Sequence, residues 1–479
     1  MSDITRTYAS PMPASAAVLQ QWHQSPGALR RLMPPWMKAE VVERSGTNRP
    51  GDWVRLHASV AGPVGFDWTV VHEDLPERDA LGFADVQLSG PFRAWRHEHR
   101  YLPRAESASQ LEDRLVYELR AGALGRGVAG EWVTSILDRM FELRHLRTWN
   151  DLVRMQDAGF QRPLKVAVTG ASGLIGRRLV PFLQGGGHEV FSLVRRNPEG
   201  DHEIHWNPAT GEIDALSLEG IDAVVHLAGV SIAGGRWSAS RKEAILRSRV
   251  DGTRLLAKTL ARLQSPPAVL VSTSAVGFYG DTGDRTVTEE SPAGSGFLAD
   301  VCVQWEAAAD SAREAGIRVV HPRFGVVFAG DGGMLPLIAL PFKAGVGGKL
   351  GNGQQGMPWI GLEDLIGVLL TSIADERLAG PVNAVSPEPT TNAEFTRAMG
   401  KVLGRPTILP VPAAPMKLAG GELAESLILA SQHVAPARLE SVGFQFAFPS
   451  LVDTLRIELG KPGLQPGVNR LPLSTALAV

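Results

Sequence analysis

Three glycines at a spacing of three residues, Gly170, Gly173 and Gly176, stand where an apolar stretch ends and a helix-like pattern begins. In such a turn the first glycine permits the tight bend, the second lets the backbone approach a pyrophosphate, and the third lets helix and strand pack closely. Free N–H groups at the helix start add partial positive charge toward the phosphates. The pattern predicts a dinucleotide site, and a tight turn without a ligand is the simpler alternative. The predicted contacts are Gly170, Ser172, Gly173, Leu174, Ile175 and Gly176.

Two adjacent arginines, Arg195 and Arg196, follow the next apolar stretch of the chain. Sheets that bind NAD usually place Asp or Glu at this point, where the carboxylate accepts hydrogen bonds from the ribose 2′-hydroxyl. A guanidinium instead pairs with a 2′-phosphate in a bidentate fork. The two arginines therefore favour NADP(H) as the cofactor, and a solvated basic loop is the alternative.

The elements that must position these residues alternate between strand and helix from residue 164 onward. Strands are predicted at 165–169, 189–194, 223–227, 268–272, 318–323 and 381–384, and helices at 175–184, 240–263 and 301–314. Repeated β-α units are typical of a doubly wound parallel sheet. We therefore predict an α/β Rossmann domain over 164–385, a small helical region on the substrate side over 386–465 and a loose tail over 466–479.

The first 158 residues show a different order of elements and are predicted to form a domain of their own. A helix-like segment at 16–32 precedes six strand-like stretches and a long amphipathic helix at 130–155. On the fifth stretch, Trp95, His97, His99 and Tyr101 share one face. Helix, antiparallel strands and long helix together indicate an α+β domain.

This N-terminal part resembles the helix-grip superfamily of lipid-transfer and polyketide-cyclase proteins (SRPBCC), on the stretches 25–36, 90–99 and 122–126. The resemblance implies a curved sheet around a long helix, with a cavity that often holds an apolar ligand. The face that carries Trp95, His97 and His99 either lines such a cavity or fills the core.

The C-terminal two-thirds resemble the extended short-chain dehydrogenase/reductase (SDR) superfamily, on IDAVVHLAG (221–229), VSTSAVGFYG (271–280), PRFG (322–325) and WIGLED (359–364). More narrowly, the chain is similar to the YfcH-type epimerase-like family, which closes with a small domain of unknown function of the DUF1731 type, matched here at 431–444. For Arg249, pairing with Asp251 or with a neighbouring helix is the alternative to a contact with cofactor phosphate. The further cofactor residues implied are Leu227, Ala228, Gly229, Arg249, Ser272, Pro322 and Arg323.

The acid–base set of that superfamily is altered in this chain. Its reaction uses a tyrosine with a lysine four residues later, and none of the four tyrosines here has lysine at that spacing. Cys302 and Glu306 best fit the two positions. The catalytic candidates are Ser274 or Thr273 to hold a carbonyl oxygen, Tyr279 as proton donor, and Glu306 or Cys302 near the ribose.

Three functions stay open from the sequence. The first is an NADP(H)-dependent oxidoreductase or epimerase with a rebuilt acid–base set, acting on a carbonyl or hydroxyl substrate. The second is an NADP(H)-binding sensor or division-related regulatory protein without turnover. The third is a carrier of an apolar ligand through the N-terminal domain. Glycine-rich loops at 330–336 and 345–356 suggest a mobile lid and slightly favour an apolar substrate. The apolar residues of this lid are Met334, Leu337, Phe342, Met357 and Trp359.

Composition narrows the class of protein. With 48 basic and 50 acidic residues the net charge is −2, which gives no sign of a nucleic-acid or anionic-membrane partner. The single cysteine excludes an internal disulfide and suits a reducing compartment. No signal peptide and no transmembrane stretch are recognised, so a cytoplasmic protein with a small-molecule substrate is predicted. No set of metal ligands is singled out.

Overall fold

Backbone contacts divide the chain into two units, which are described separately. The computed structural model describes residues 3–46, 48–59, 65–77, 80–120, 123–232, 237–412, 421–463 and 469–473. Unit 1 comprises Met1–Asp157, Pro181–Gly187 and Ile457–Val479, and unit 2 comprises Ala158–Val180 and His188–Arg456. Among the helices so described, none has both the length and the apolar character that crossing a membrane requires.

Unit 1 contains an antiparallel sheet of seven strands in the order β1-β7-β6-β5-β4-β3-β2. Its long strands β6 and β7 alternate between buried and exposed positions, as expected when one face of a sheet covers a core. The strands are β1 (Ile4–Met12), β2 (Lys38–Arg44), β3 (Trp53–Ser59), β4 (Phe66–Glu73), β5 (Gly82–Ser89), β6 (Phe92–Ala105) and β7 (Ala108–Leu119).

Three helices accompany this sheet: α1 (Ala16–Gln24), α2 (Ala28–Leu32) and α3 (Ala123–Ala158). The inner face of β6 and β7 packs against α3 through a cluster that includes Trp95, Tyr117, Met140 and Phe141. A second cluster joins α1 to the same sheet through Leu19 and Tyr101, with other apolar residues. The four side chains predicted to share a face of β6 are all buried, which confirms the predicted alternation.

Unit 2 is built on a nine-stranded sheet in the order β11-β10-β9-β8-β12-β13-β16-β14, with β19 also paired to β16. All of its pairings are parallel except that of β10 with β11. Helices cover both faces of a doubly wound sheet, so its central strands are buried throughout. The strands are β8 (Lys165–Thr169), β9 (Glu189–Val194), β10 (Glu203–Asn207), β11 (Glu212–Ile213), β12 (Ala223–His226), β13 (Val269–Ser272), β14 (Ser274–Ala275), β16 (Arg318–Phe324) and β19 (Gly380–Ala384).

Two short parallel pairs complete the strands of unit 2: β15 (Thr286–Val287) with β20 (His433–Val434), and β17 (Val326–Phe328) with β18 (Trp359–Gly361). A 3-10 turn at Val276–Tyr279 follows β14. The helices that lie in or begin in this unit are α4 (Gly176–Gly185), α5 (Ala239–Leu260), α6 (Phe297–Ala307), α7 (Asp310–Glu314), α8 (Leu335–Lys343), α9 (Leu362–Ala374), α10 (Asn392–Leu403), α11 (Ala437–Ser441) and α12 (Leu451–Leu459).

The predicted Rossmann strands are confirmed to within about one residue at each end, but other elements differ. Strand β1 is not predicted, because many of its residues are polar and give no apolar strand pattern. Its pairing with β7 along its whole length stabilises the strand instead. The predicted helix at 16–32 is broken at Ser25, and the predicted helix at 301–314 begins at Phe297 and is broken near Ala309. The predicted loose tail is wrong for residues 469–471: Asn150 on α3 bonds to Asn469 and Leu471, which are both buried.

Candidate functional site

The glycine-rich turn joins β8 to α4. Gly170 has a φ of +68°, a backbone conformation that favours glycine. A Cβ at Gly176 would overlap Gly170 O and lie 2.6 Å from Ala171 Cα, so only glycine lets the helix begin this close to the strand. Ser172 and Gly173 are exposed, and a Cβ at Gly173 would meet Gly170 O alone. The outer side of the turn is therefore accessible to a phosphate.

The carboxyl end of β12 is fixed beside this turn by one threonine. Thr169 Oγ1 accepts hydrogen bonds from the N–H groups of Leu227 (3.1 Å) and Ala228 (3.2 Å) and lies 2.7 Å from His226 Nδ1. A Cβ at Gly170 would lie 3.1 Å from the nitrogen of Ala228. The segment predicted to contact the cofactor at 227–229 therefore borders the glycine turn directly.

Arg249 lies against this segment from α5. Its Nη1 donates to Val230 O (3.0 Å), and its guanidinium stacks over the ring of Trp305. A Cβ at Gly229 would lie 3.4 Å from Arg249 Cζ. The alternative ion pair with Asp251 is not formed, because Asp251 instead pairs with Arg254. Arg249 therefore lies beside the exposed Gly229, after the carboxyl end of β12.

The two arginines after β9 differ in their partners. Arg196 donates to both carboxylate oxygens of Glu203 on β10, at 2.7 and 2.6 Å, and also pairs with Glu199. Arg195 is exposed and makes no hydrogen bond or ion pair within the described part of the chain. Of the two guanidinium groups, that of Arg195 is the one available to an incoming phosphate.

Two catalytic candidates, Ser274 and Glu306, meet Arg323, a predicted cofactor residue, at the ends of β14 and β16. Ser274 Oγ donates to Glu306 Oε1 (2.7 Å), and Arg323 donates from Nε and Nη2 to the two oxygens of the same carboxylate, both at 2.8 Å. Burial would raise the pKa of Glu306, but the hydrogen bonds and charge of Arg323 hold it below its usual value. Glu306 is therefore an ionised, half-buried acceptor for the proton of Ser274. We name these residues the Ser274–Glu306–Arg323 array.

The hydroxyl of Tyr279 forms hydrogen bonds to other residues of unit 2. It donates to Asn383 Oδ1 (2.7 Å) and accepts from Arg323 Nη1 (2.8 Å), and the residue is 3% exposed. Burial raises the pKa of the phenol above its ordinary value. Both features oppose the predicted role as proton donor to a substrate. The contacts instead indicate that Tyr279 positions Arg323, which in turn positions Glu306.

The remaining candidates are not members of the Ser274–Glu306–Arg323 array, although Cys302 is buried next to it. Thr273 Oγ1 donates to the backbone oxygen of His226 (3.0 Å). Burial, together with the nearby carboxylate of Glu306, raises the pKa of the Cys302 thiol to about 11, so this catalytic candidate is a buried, protonated thiol. Ser272 Oγ is fully buried and has no hydrogen-bond partner within the described residues, and Pro322 is buried within β16.

One of the two predicted lid loops contacts the glycine turn. Arg178 on α4 pairs with Asp331 at 2.7 Å, and a Cβ at Gly332 would lie 2.8 Å from Leu174 Cδ1. Of the apolar residues predicted for the lid, Leu337 is exposed, whereas Phe342 and Trp359 are buried. The last two therefore belong to the core of unit 2 and not to a lid surface.

The sequence matches known families over most of unit 2. Residues 166–384 match the family described as NAD dependent epimerase/dehydratase, and residues 411–457 match a domain of unknown function, DUF1731. An epimerase family protein of Mycobacterium bovis is 44% identical over 298 residues, which span 62% of this chain and 98% of that protein. The chain belongs to the epimerase family.

Two solved structures of related epimerases extend this comparison. A nucleoside-diphosphate sugar epimerase from Corynebacterium glutamicum is 33% identical, with a TM-score of 0.76, and the match covers 95% of this chain and 90% of that one. The human epimerase family protein SDR39U1, solved with NADPH, is 34% identical, with a TM-score of 0.56 over 62% of this chain and 99% of that one.

Sequence reasoning missed the residues that support the site of this epimerase family member from its C-terminal part. Asn383 on β19 donates from Nδ2 to Ala435 O (2.9 Å), and its own N–H donates to Glu289 (2.9 Å). Gln432 donates to the backbone oxygens of Val276 (3.1 Å) and Gly280 (2.7 Å). The C-terminal segment thus holds the 3-10 turn that carries Tyr279, a role for which the sequence contains no local signal.

Proposed function

We propose that unit 2 binds NADP(H) and acts as an atypical SDR oxidoreductase or epimerase on a small molecule with a carbonyl or hydroxyl group. The observation that carries the proposal is the Ser274–Glu306–Arg323 array at the carboxyl ends of strands in the same sheet as the glycine turn. In open α/β sheets, ligands bind at this end of the strands. The NADPH found with the human relative supports the choice of cofactor.

The residues present fit a dinucleotide with a 2′-phosphate. The turn at Gly173 is open on its outer side, and Gly176 brings the start of α4 close enough for its N–H groups to face a pyrophosphate. Arg195 offers an uncommitted guanidinium after β9, where a 2′-phosphate is expected. The charge of Arg196 is already neutralised by Glu203, so Arg196 contributes less than Arg195 to binding of the 2′-phosphate.

The chain's own residues replace the missing tyrosine–lysine pair with a carboxylate relay. When bound, the nicotinamide supplies the hydride chemistry. In oxidation, Ser274 Oγ would accept the proton of a substrate hydroxyl while its own proton passes to Glu306 and then to solvent. In reduction, Ser274 would donate its proton to the carbonyl oxygen, and a proton taken up from solvent through Glu306 would restore the serine hydroxyl. Arg323 keeps Glu306 ionised and oriented.

The alternative from a different class is an NADP(H)-binding sensor without turnover. Two observations favour this alternative: the Tyr279 hydroxyl is hydrogen-bonded to Asn383 and Arg323, and the Cys302 thiol has a high pKa. Neither group is therefore available for proton transfer to a substrate. For the substrate, an apolar molecule stays our prediction. The Corynebacterium relative suggests a sugar nucleotide as the second class.

Cofactor binding is tested by titrating the full chain with NADPH and with NADH, followed by fluorescence or calorimetry. We expect preference for NADPH. Arg195→Ala removes a charge-assisted contact worth about 1.5–3 kcal/mol, so NADPH affinity is expected to fall roughly 10- to 150-fold with NADH unchanged. Arg196→Ala is the matched control and is expected to have a small effect. Equal loss for both cofactors in Arg195→Ala would show that Arg195 does not read the 2′-phosphate.

Turnover is tested by following NADPH oxidation with a panel of apolar and sugar-nucleotide carbonyl compounds. For any compound that is reduced, Ser274→Ala is expected to lower kcat by about 10²- to 10⁴-fold, the usual contribution of a positioned proton-transfer group. Val303→Ala, at an exposed position of the same helix, serves as the control. NADPH binding without reduction of any compound would support the sensor.

For unit 1 we propose the helix-grip assignment. The seven-stranded antiparallel sheet packed on α3 supports it, and the Corynebacterium match extends over 95% of the chain. Mass spectrometry of molecules that co-purify with the full chain tests carriage of an apolar ligand. A protein that is consistently free of such molecules argues against it.

A further inference from the structure

Buried histidines and carboxylates inside unit 1 have no part in the function proposed for unit 2. Asp85 lies on β5, and His97 and His99 lie on the inner face of β6. Both rings are at most 6% exposed. One nitrogen of each ring and one carboxylate oxygen of Asp85 lie within 4.8 Å of one another. We name Asp85, His97 and His99 the β5–β6 triad.

Strand register creates this arrangement. Asp85 on β5 is the direct cross-strand partner of His97 on β6, and Asp113 on β7 is the partner of His99. Side chains that are cross-strand partners point to the same face of the sheet. Two carboxylates from the flanking strands therefore face two imidazoles from the central one.

Each imidazole of the triad lies between the two carboxylates. His99 has Nε2 at 3.3 Å from Asp85 Oδ2 and Nδ1 at 2.8 Å from Asp113 Oδ1. His97 has Nδ1 at 4.0 Å from Asp85 Oδ2 and donates or accepts through Nε2 at 2.8 Å from Asp113 Oδ1. Both rings thus turn one nitrogen toward Asp85 and present the other to Asp113.

These separations approach those of a metal-ligand set. Bonds of 2.0–2.1 Å to a tetrahedral Zn²⁺ place neighbouring ligand atoms about 3.3 Å apart. The His99–Asp85 pair has that separation, and the His97–Asp85 pair exceeds it by less than 1 Å. The third pair, one nitrogen of each ring, is separated by at most 4.8 Å.

Two of the three ligands of the triad have the outer hydrogen bonds that metal ligands usually have. A metal-binding imidazole usually donates its second N–H to a carboxylate, which fixes the ring and its tautomer. Asp113 Oδ1 lies 2.8 Å from His97 Nε2 and can accept this bond, and its other oxygen lies 2.6 Å from His145 Nε2 on α3. His99 Nδ1 is also 2.8 Å from Asp113 Oδ1 but outside hydrogen-bond geometry. Asp85 Oδ1 is held by His72 Nδ1 at 2.6 Å, so His97 and Asp85 each have a second partner.

We propose that unit 1 binds one divalent transition metal through Asp85, His97 and His99, oriented by Asp113. Two imidazoles, one carboxylate and an open position match Zn²⁺ best among common ions, and the same set also suits Fe²⁺. The fourth position is left for water or for an oxygen of a ligand.

The test uses the full chain without a histidine tag, treated with a chelator and dialysed. Titration with Zn²⁺ by calorimetry, and metal analysis after gel filtration, are expected to show one tightly bound equivalent. His97→Ala and Asp85→Asn are expected to weaken binding at least about 100-fold, and Asp113→Asn about 10- to 100-fold. His57→Ala, which removes an exposed histidine bonded to Asp67, is the matched control and keeps the site.

A second measurement does not depend on variants that fold. Co²⁺ added to the unaltered chain is expected to give the visible absorption of a four- or five-coordinate nitrogen and oxygen site, abolished by one equivalent of Zn²⁺. Circular dichroism confirms the fold of each variant. The proposal is overturned if the unaltered chain binds no Zn²⁺ at 100 micromolar, on the order of a weak surface site, or if binding survives in both His97→Ala and Asp85→Asn.

Discussion

Replacing Tyr279 by phenylalanine separates a supporting role for this residue from a catalytic one. The substitution keeps the ring, which packs on Phe278 and lies beneath the guanidinium of Arg323. It removes only the hydroxyl that donates to Asn383 and accepts from Arg323. The variant therefore tests two hydrogen bonds and leaves the surrounding packing in place.

The structure sets the size of the effect. The hydrogen bond from the charged Arg323 contributes about 1.5–3 kcal/mol and that to Asn383 about 0.5–1.5 kcal/mol, because both lie in the interior. We therefore expect the free energy of unfolding of unit 2 to fall by about 2–4 kcal/mol. Turnover is expected to fall less than about tenfold, whereas the loss of a proton donor costs about 10²- to 10⁴-fold.

Urea unfolding at equilibrium measures the first quantity, and NADPH oxidation with any carbonyl compound that the unaltered chain reduces measures the second. Tyr8→Phe is the control, since it removes a single hydrogen bond to Asp138 at a partly exposed position of unit 1. Unchanged stability together with a kcat loss of 10²-fold or more, the size expected for a proton donor, would refute the supporting role and restore Tyr279 as the acid.

Further predictions concern the glycine turn, a buried histidine and the cysteine. Gly176→Ala is expected to abolish NADPH binding in a calorimetric titration, whereas Gly200→Ala, where a Cβ meets nothing within 4 Å, leaves it unchanged. Burial lowers the pKa of His226 from 6.5 to about 4, so the unfolded chain binds more protons between these values and stability falls as the pH drops through this range. His226→Asn is expected to remove roughly 2 kcal/mol of the stability difference between about pH 7.5 and pH 5 in urea unfolding; an unchanged difference in His226→Asn would contradict the low pKa. Alkylation of Cys302 by iodoacetamide at about pH 7.5 is expected to be about 300-fold slower in the folded protein than in urea, measured by mass spectrometry, and equal rates would contradict its burial.

The strands and the glycine turn could be predicted because their signals are local. Val166, Ala167 and Val168 form a continuous apolar run into Gly170, as expected for a strand buried on both faces. The difference between Arg195 and Arg196 could not be predicted. It depends on Glu203, which lies on β10, a strand that the sequence analysis did not recognise.

The support of the candidate site could not be predicted for a similar reason. Tyr279 and Asn383 are 104 residues apart, and the pairings of β14 with β16 and of β16 with β19 bring them together. In unit 1 the alternation along β6 correctly places His97 and His99 on one buried face. It does not show which residues of β5 and β7 lie beside them. Asp85 becomes the partner of His97 through strand register alone.

The return of the C-terminal residues to unit 1 has a consequence for how the protein is made. Asn150 and Trp149 on α3 bond to residues 469 and 471, near the end of the chain. Roughly 300 residues separate the two parts of unit 1, and at about 5–20 residues per second their synthesis takes the ribosome a quarter of a minute to a minute. During that time α3 lacks these partners. Unit 1 therefore begins to be synthesised before unit 2, but its folding is completed only after unit 2 has been synthesised.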